Sequence, residues 1–149
     1  MYKHLLVPVD GSPLSAHAAS KAVAFAQSLS ARITFLHVQP DYPLPIVGEG
    51  ALIAPESRDD FQRDTREMAD MILGKVRAEA VAAGLIAETH TDISDTPWQM
   101  IIDTANKAGC DLIFMASHGR RGLAGLLIGS ETHKVLTHTT IPVLVYREA

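Results

Sequence analysis

Short apolar runs alternate with longer helical stretches along this chain, five of one kind and four of the other, and that alternation constrains the fold most tightly. His4–Val9 is almost wholly apolar and too short for a helix, as expected of a strand buried on both faces. Asp10-Gly-Ser-Pro13 reads as a sharp turn, with Ser12 as helix cap and Pro13 at the first helical position. The helix it opens runs to about Ser28 and lines up Ala18, Ala22, Phe25, Ala26 and Leu29 on one face. Arg32–Val38, rich in branched and aromatic residues, is the second strand. Asp59–Ala83 is the longest helix, with Phe61, Met68, Met71, Ile72 and Val76 as its apolar stripe and Gly84 as its stop. Ile86–Thr91 alternates weakly, like a half-exposed edge strand. Thr96 caps a helix from Trp98 to Lys107, Leu112–Met115 forms the fourth strand, Ser130 caps a helix to about His138, and Thr140–Tyr146 is the last strand. Such alternation specifies a doubly wound parallel α/β sheet with right-handed crossovers and helices on both faces.

Between the second strand and the longest helix the composition changes. Prolines at 40, 43, 45 and 55, with Gly48 and Gly50, break regular structure from 39 to 57. The stretch leaves the sheet on the side where such folds bind ligands. With Tyr42, Leu44, Ile46, Val47, Leu52 and Ile53 it is expected to act as a lid.

The chemistry concentrates between the fourth strand and the helix that begins at Ser130. Gly119, Gly122, Gly125 and Gly129 lie there, with Arg120 and Arg121 among them. Glycine lets backbone N–H groups come close to a ligand, and a helix start presents unpaired N–H groups that suit a phosphate. Neither common nucleotide fingerprint fits. Gly129-Ser130-Glu131 lacks the lysine of a P-loop, and the glycine spacing is not that of a dinucleotide turn. Asp10 ends the first strand, where a carboxylate can accept from a ribose or an adenine amino group, help hold magnesium, or close a turn onto Ser12.

This stretch resembles the phosphate loop of the universal stress protein family. Its ATP-binding members carry Gly, two residues, Gly, nine residues, then Gly-Ser or Gly-Thr. Gly119 and Gly129-Ser130 match, and Ala116 stands where the first glycine would be. The resemblance extends over Leu5–Ser12, Leu36-His-Val38, Asp111–Gly119, Lys134-Val-Leu136 and Ile141–Val145. It implies one domain over residues 1–149, Rossmann-like, with five strands in the order 3-2-1-4-5. It further implies that adenine meets Val9, Asp10 and Val38, with Pro8 beside them. Ribose and phosphates would meet Met115, Ala116, His118, Gly119, Gly129, Ser130 and Thr132. The implied role is stress response, with ATP, with or without magnesium, as a state signal. The alternative is a same-fold interaction protein that takes no nucleotide. Two features of this chain stand against the site: the Ala116 methyl could crowd the ligand, and the Glu131 carboxylate could repel a phosphate.

The remaining signals set limits. No residue is an obvious general base or γ-phosphate activator, so slow ATP hydrolysis at most is expected. The histidines carry no metal-ligand spacing; His133 and His138 are five apart and no cysteine cluster joins them. A formal charge of -4 argues against nucleic acid or anionic membrane as the main partner. No apolar run approaches membrane-span length, and a single cysteine, Cys110, suits a reducing cytoplasm. The last strand, Ile141–Tyr146, is apolar and lies at an edge in the implied order. It is expected to pair with its copy in a homodimer.

Overall fold

The structure, a computed structural model, describes residues 1–43, 57–119 and 128–148. The elements are β1 (His4–Pro8), α1 (Pro13–Leu29), β2 (Arg32–Gln39), α2 (Arg58–Ala82), β3 (Ala87–Ile93), α3 (Pro97–Ala108), β4 (Leu112–Ala116), α4 (Ser130–His138) and β5 (Val143–Tyr146). The strands form one sheet in the order β3-β2-β1-β4-β5, every neighbouring pair parallel.

Strand alternation divides the apolar residues between two layers. Leu5 and Val7 of β1 with Val9 just after it, Ile33 and Phe35 of β2, and Leu112 and Phe114 of β4 pack under α1 and α2. Leu6, Leu36, Ile113 and Met115 face the other way, against Ile101 and Ala105 of α3 and Val135 of α4. Leu5, Leu6 and Phe35 are fully buried, each contributing about 1.5–3 kcal/mol over an exposed position. In α1, Ala18, Ala19, Ala22 and Ala26 are likewise fully buried and let the helix lie close on the sheet.

Two expectations are corrected here. The buried stripe of α2 is Ala69, Leu73, Val76 and Ala80, while Met68 and Met71 are 47% and 76% exposed. Small alanines allow close approach to β2 and β3, and that turns the helix about one residue away from its methionines. The last strand starts at Val143, not Thr140. Pro142 has no N–H to give, although its carbonyl accepts from Ile113 N at 2.9 Å. In α4, Thr132 and Val135 are buried and Leu136 is 39% exposed.

The opposite, amino-terminal end of the sheet is tied down by Asp111. Its carboxylate accepts from Lys3 N and His4 N, both at 2.9 Å, joining the starts of β1 and β4. Cys110 is buried beside this end, and burial pushes its thiol up to about 11, so it stays protonated. His4 is also buried, with Nε2 2.7 Å from Thr34 Oγ1. Burial, followed by the Arg32 guanidinium, pulls His4 below its usual 6.5, against the opposing pull of Glu88 and Asp111. The folded state therefore holds this proton less well than the unfolded chain. Stability should be complete above the ordinary histidine range and fall as pH drops through it, by up to about 1.4 kcal/mol per pH unit. Urea denaturation of wild type and His4→Gln between about pH 7 and 5.5 checks this. The variant should show the flatter dependence, and equal slopes would contradict the assignment.

Candidate functional site

β1 and β4 lie side by side, and the chain leaves them in opposite directions. After β1 it enters α1 on one face of the sheet; after β4 it reaches α4 on the other. A crevice opens at the carboxyl ends of strands wherever this happens, and ligands of doubly wound sheets bind there.

Asp10 forms one wall. Its Oδ1 accepts from Ser12 N at 2.9 Å, and Ser12 Oγ in turn accepts from Ser15 N to cap α1. Gly11, at φ +83°, supplies the left-handed backbone that so tight a turn needs. The turn role of Asp10 is thus present, and its other oxygen faces the crevice. A Cβ on Gly119 would lie 2.5 Å from Asp10 Oδ2, so a larger residue there would push the Asp10 carboxylate aside.

The second wall is the start of α4. Gly129 N donates to Ser117 O at 2.7 Å, and the buried Thr132 donates through Oγ1 to Ala116 O at 3.0 Å. These bonds clamp the helix start to the end of β4. Gly129 has φ -72°, a value open to any residue, so space is what selects glycine. A Cβ there would sit 3.0 Å from His118 Cβ and 3.1 Å from His118 Cα. Contrary to expectation, Gly129 holds the cap position of α4 and Ser130 is its first helical residue. Among the described residues no side chain caps this helix, whereas Ser12 and Ser57 cap α1 and α2. Ser130 and Gly119 are solvent-exposed at the crevice, with half-buried His118 between β4 and Gly119.

Glu131 turns toward α3. Its Oε2 accepts from Trp98 N at 2.9 Å and so caps α3 from a distance, while Oε1 lies 3.7 Å from Lys134 Nζ. Thr96 occupies the cap position of α3 as expected, yet its own side chain makes no cap bond there. Glu131→Ala should therefore destabilise the fold by about 1 kcal/mol, the usual cost of a lost helix cap, with Glu131→Gln restoring most of it. Chemical denaturation measures this, and an unchanged midpoint for Glu131→Ala would refute the capping role.

The remaining predicted residues fall around the same crevice. Val38 is half-buried and packs with Met115 in the α3–α4 layer; Pro8 ends β1. The Ala116 methyl belongs to the layer under α1. Sequence reasoning missed His37. It is buried, and its Nδ1 donates to Val9 O at 2.8 Å, which fixes the tautomer because a carbonyl only accepts. Gln39 Nε2 donates to Thr91 Oγ1 at 2.9 Å, and Thr91 Oγ1 donates to His37 O at 2.8 Å. This chain joins the carboxyl ends of β3, β2 and β1 into one rim. Its signal in the sequence was a histidine and a glutamine placed in an otherwise apolar strand. Arg120, Arg121, Gly122 and Gly125 lie outside the described residues, as does most of the expected lid.

The model of the Universal stress protein family matches residues 1–147. The universal stress protein YxiE of Bacillus subtilis is 32% identical over 99% of this chain and 100% of its own. The solved structure of MJ0577, a universal stress protein of Methanocaldococcus jannaschii, is 26% identical at a TM-score of 0.82, covering 100% of this chain and 98% of that one. Other structures share the fold at lower identity. A universal stress protein in complex with cAMP is 22% identical, TM-score 0.70, with 99% of each chain covered. One from Archaeoglobus fulgidus in complex with dAMP is 18% identical, TM-score 0.66, with 98% of each covered.

Proposed function

The chain belongs to the universal stress protein family, and from that premise we propose that its crevice binds an adenine nucleotide, ATP in the fullest form. The observation that carries this reading is the start of α4. Among the described residues no side chain caps its first N–H groups, and it opens at the carboxyl end of β4 beside Asp10 and Gly119. Uncapped N–H groups and the helix dipole favour a phosphate there. Engagement of Glu131 with α3 turns its carboxylate toward that helix. The nucleotides bound by relatives, cAMP and dAMP, share the adenine base and a phosphate.

In this reading Val9, Asp10 and Val38 meet adenine, with Pro8 beside them. Met115, Ala116, His118, Gly119, Gly129 and Ser130 surround ribose and phosphates, and Thr132 holds the helix start in place. Magnesium would arrive on the phosphates, as it usually does, with Asp10 the nearest carboxylate of the crevice. The nucleotide serves as a state signal in a cytoplasmic stress-response protein, and hydrolysis is slow at most. The protein is a single domain and works as a homodimer paired through residues 141–146.

Calorimetric titration with ATP tests the reading and should give saturable binding. No heat up to millimolar ATP would overturn it and leave the same-fold interaction protein as the better account.

A further inference from the structure

The two edges of the sheet differ in kind. β5 offers the apolar run Val143–Tyr146, whereas β3 offers seven residues of which only Ala87 is buried. Among the described residues β3 pairs with β2 alone, in unbroken register from Ile33↔Ala87 to Gln39↔Ile93. The strand carries no proline, lysine or bulge, and its two charged residues, Glu88 and Asp92, lie on one face of it. Ser94 N donates to Gln39 O and Ile33 N to Ile86 O, so the even-numbered residues bond toward β2. By alternation, the backbone groups of Ala87, Thr89, Thr91 and Ile93 face outward. Ile93 N is taken by Asp92 Oδ1 at 2.8 Å, which leaves 87–91 as the pairing length.

A cleft lies along each face of this edge. On the α2 side, about 390 Å³ opens between Thr89, Thr91 and the helix residues Arg66, Asp70, Gly74 and Arg77. Gly74 sits inside α2, where glycine is destabilising, yet nothing lies within 4 Å of where its Cβ would be. Packing does not require glycine there, and a larger side chain would extend into the cleft. On the α3 side, about 380 Å³ opens between His90, Asp92 and the helix residues Gln99, Asp103 and Lys107.

The clefts differ in charge. Arg77 makes no ion pair among the described residues, and Arg66 meets Asp70 only through an exposed 3.4 Å contact, so the α2 side is net positive. Asp92 and Asp103, also without ion pairs among the described residues, outnumber Lys107 on the α3 side, and Glu88 shares the face of Asp92.

We propose that the β3 edge receives an extended segment of a partner protein, which joins the sheet as a sixth strand with acidic side chains toward α2 and basic ones toward α3. A strand alternates its side chains between faces, so one segment of alternating charge serves both clefts. A second copy of β3 suits the edge poorly. A two-fold axis would set the Glu88 and Asp92 face against its own copy, with like charges opposed.

The test is fluorescence anisotropy on the full chain with two short labelled peptides of one composition. One alternates lysine and glutamate; the other carries them as doublets, mixing charges on each face. The alternating peptide should bind at least about tenfold tighter. Gly74→Leu fills the α2-side cleft and replaces a helix-interior glycine with a strong helix former, so binding should be lost while the melting temperature holds or rises. Thr89→Pro removes an outward N–H at an edge position that tolerates proline and should also abolish binding. Both variants should keep wild-type affinity for ATP. Equal affinity for the two peptides, absence of binding, or binding undiminished in both variants would overturn the proposal.

Discussion

Gly129→Val is expected to weaken ATP binding by about a hundredfold or more, a loss of about 2.8 kcal/mol, while leaving a folded protein. Gly129 is pinned by its N–H to Ser117 O at 2.7 Å, and a Cβ would meet His118 Cβ at 3.0 Å and backbone Cα at 3.1 Å. Two further methyl groups from valine cannot be placed without moving the start of α4 away from β4. Overpacking of this kind usually costs about 1–3 kcal/mol of stability, which a domain of this size survives. The ligand suffers more, because the displaced N–H groups are the ones proposed to meet phosphate. Gly129→Ala should fall between, since its contacts require a shift of only a few tenths of an ångström. Calorimetry with circular dichroism as the folding control measures the effect, and wild-type affinity in the valine variant would remove α4 from the site.

Replacing Val143 and Val145 with lysine should convert the proposed dimer to monomer, raising its dissociation constant by about a hundredfold or more. The four residues of β5 are all half-buried, and among the described residues they pair with β4 alone. Val143 packs with the α3–α4 layer, and by alternation Val145 shares its face. Two-fold pairing brings each strand beside its own copy, so the four lysines would crowd one another at the contact. The tail beyond β5 turns toward α1, where Glu148 Oε1 lies 2.9 Å from His17 Nδ1, away from the outer edge. Sedimentation velocity at tens of micromolar reports the change. A wild-type chain already monomeric there would show that the apolar edge is not an interface.

Much of the fold was legible because strands buried on both faces need continuous apolar runs, and Leu5-Leu-Val and Leu112–Met115 supply them. Of the site, Asp10 and Gly119 could be paired from the implied strand order, and the structure does bring them together. The α2 stripe was misread because alanine contributes little to an apolar pattern, yet packs closest to a sheet. Ser130 was taken for a cap because serine usually caps, but the bond from Gly129 N to Ser117 O shifts the helix start by one residue. Glu131 as the cap of α3 and His37 as the brace of Val9 are long-range contacts, set by which elements the sheet makes neighbours. Local sequence pattern carries no information about them.

Adenine nucleotide is proposed to bind in the crevice between β1 and the start of α4. Backbone amide NMR of ¹⁵N-labelled protein titrated with ATP tests both the binding and its place. Saturable shifts should gather at Val9, Asp10, Val38, Gly119, Gly129 and Ser130, with Thr89 and Thr91 of the β3 edge unmoved. An unchanged spectrum at millimolar ATP, or shifts that gather away from the crevice, would contradict the account.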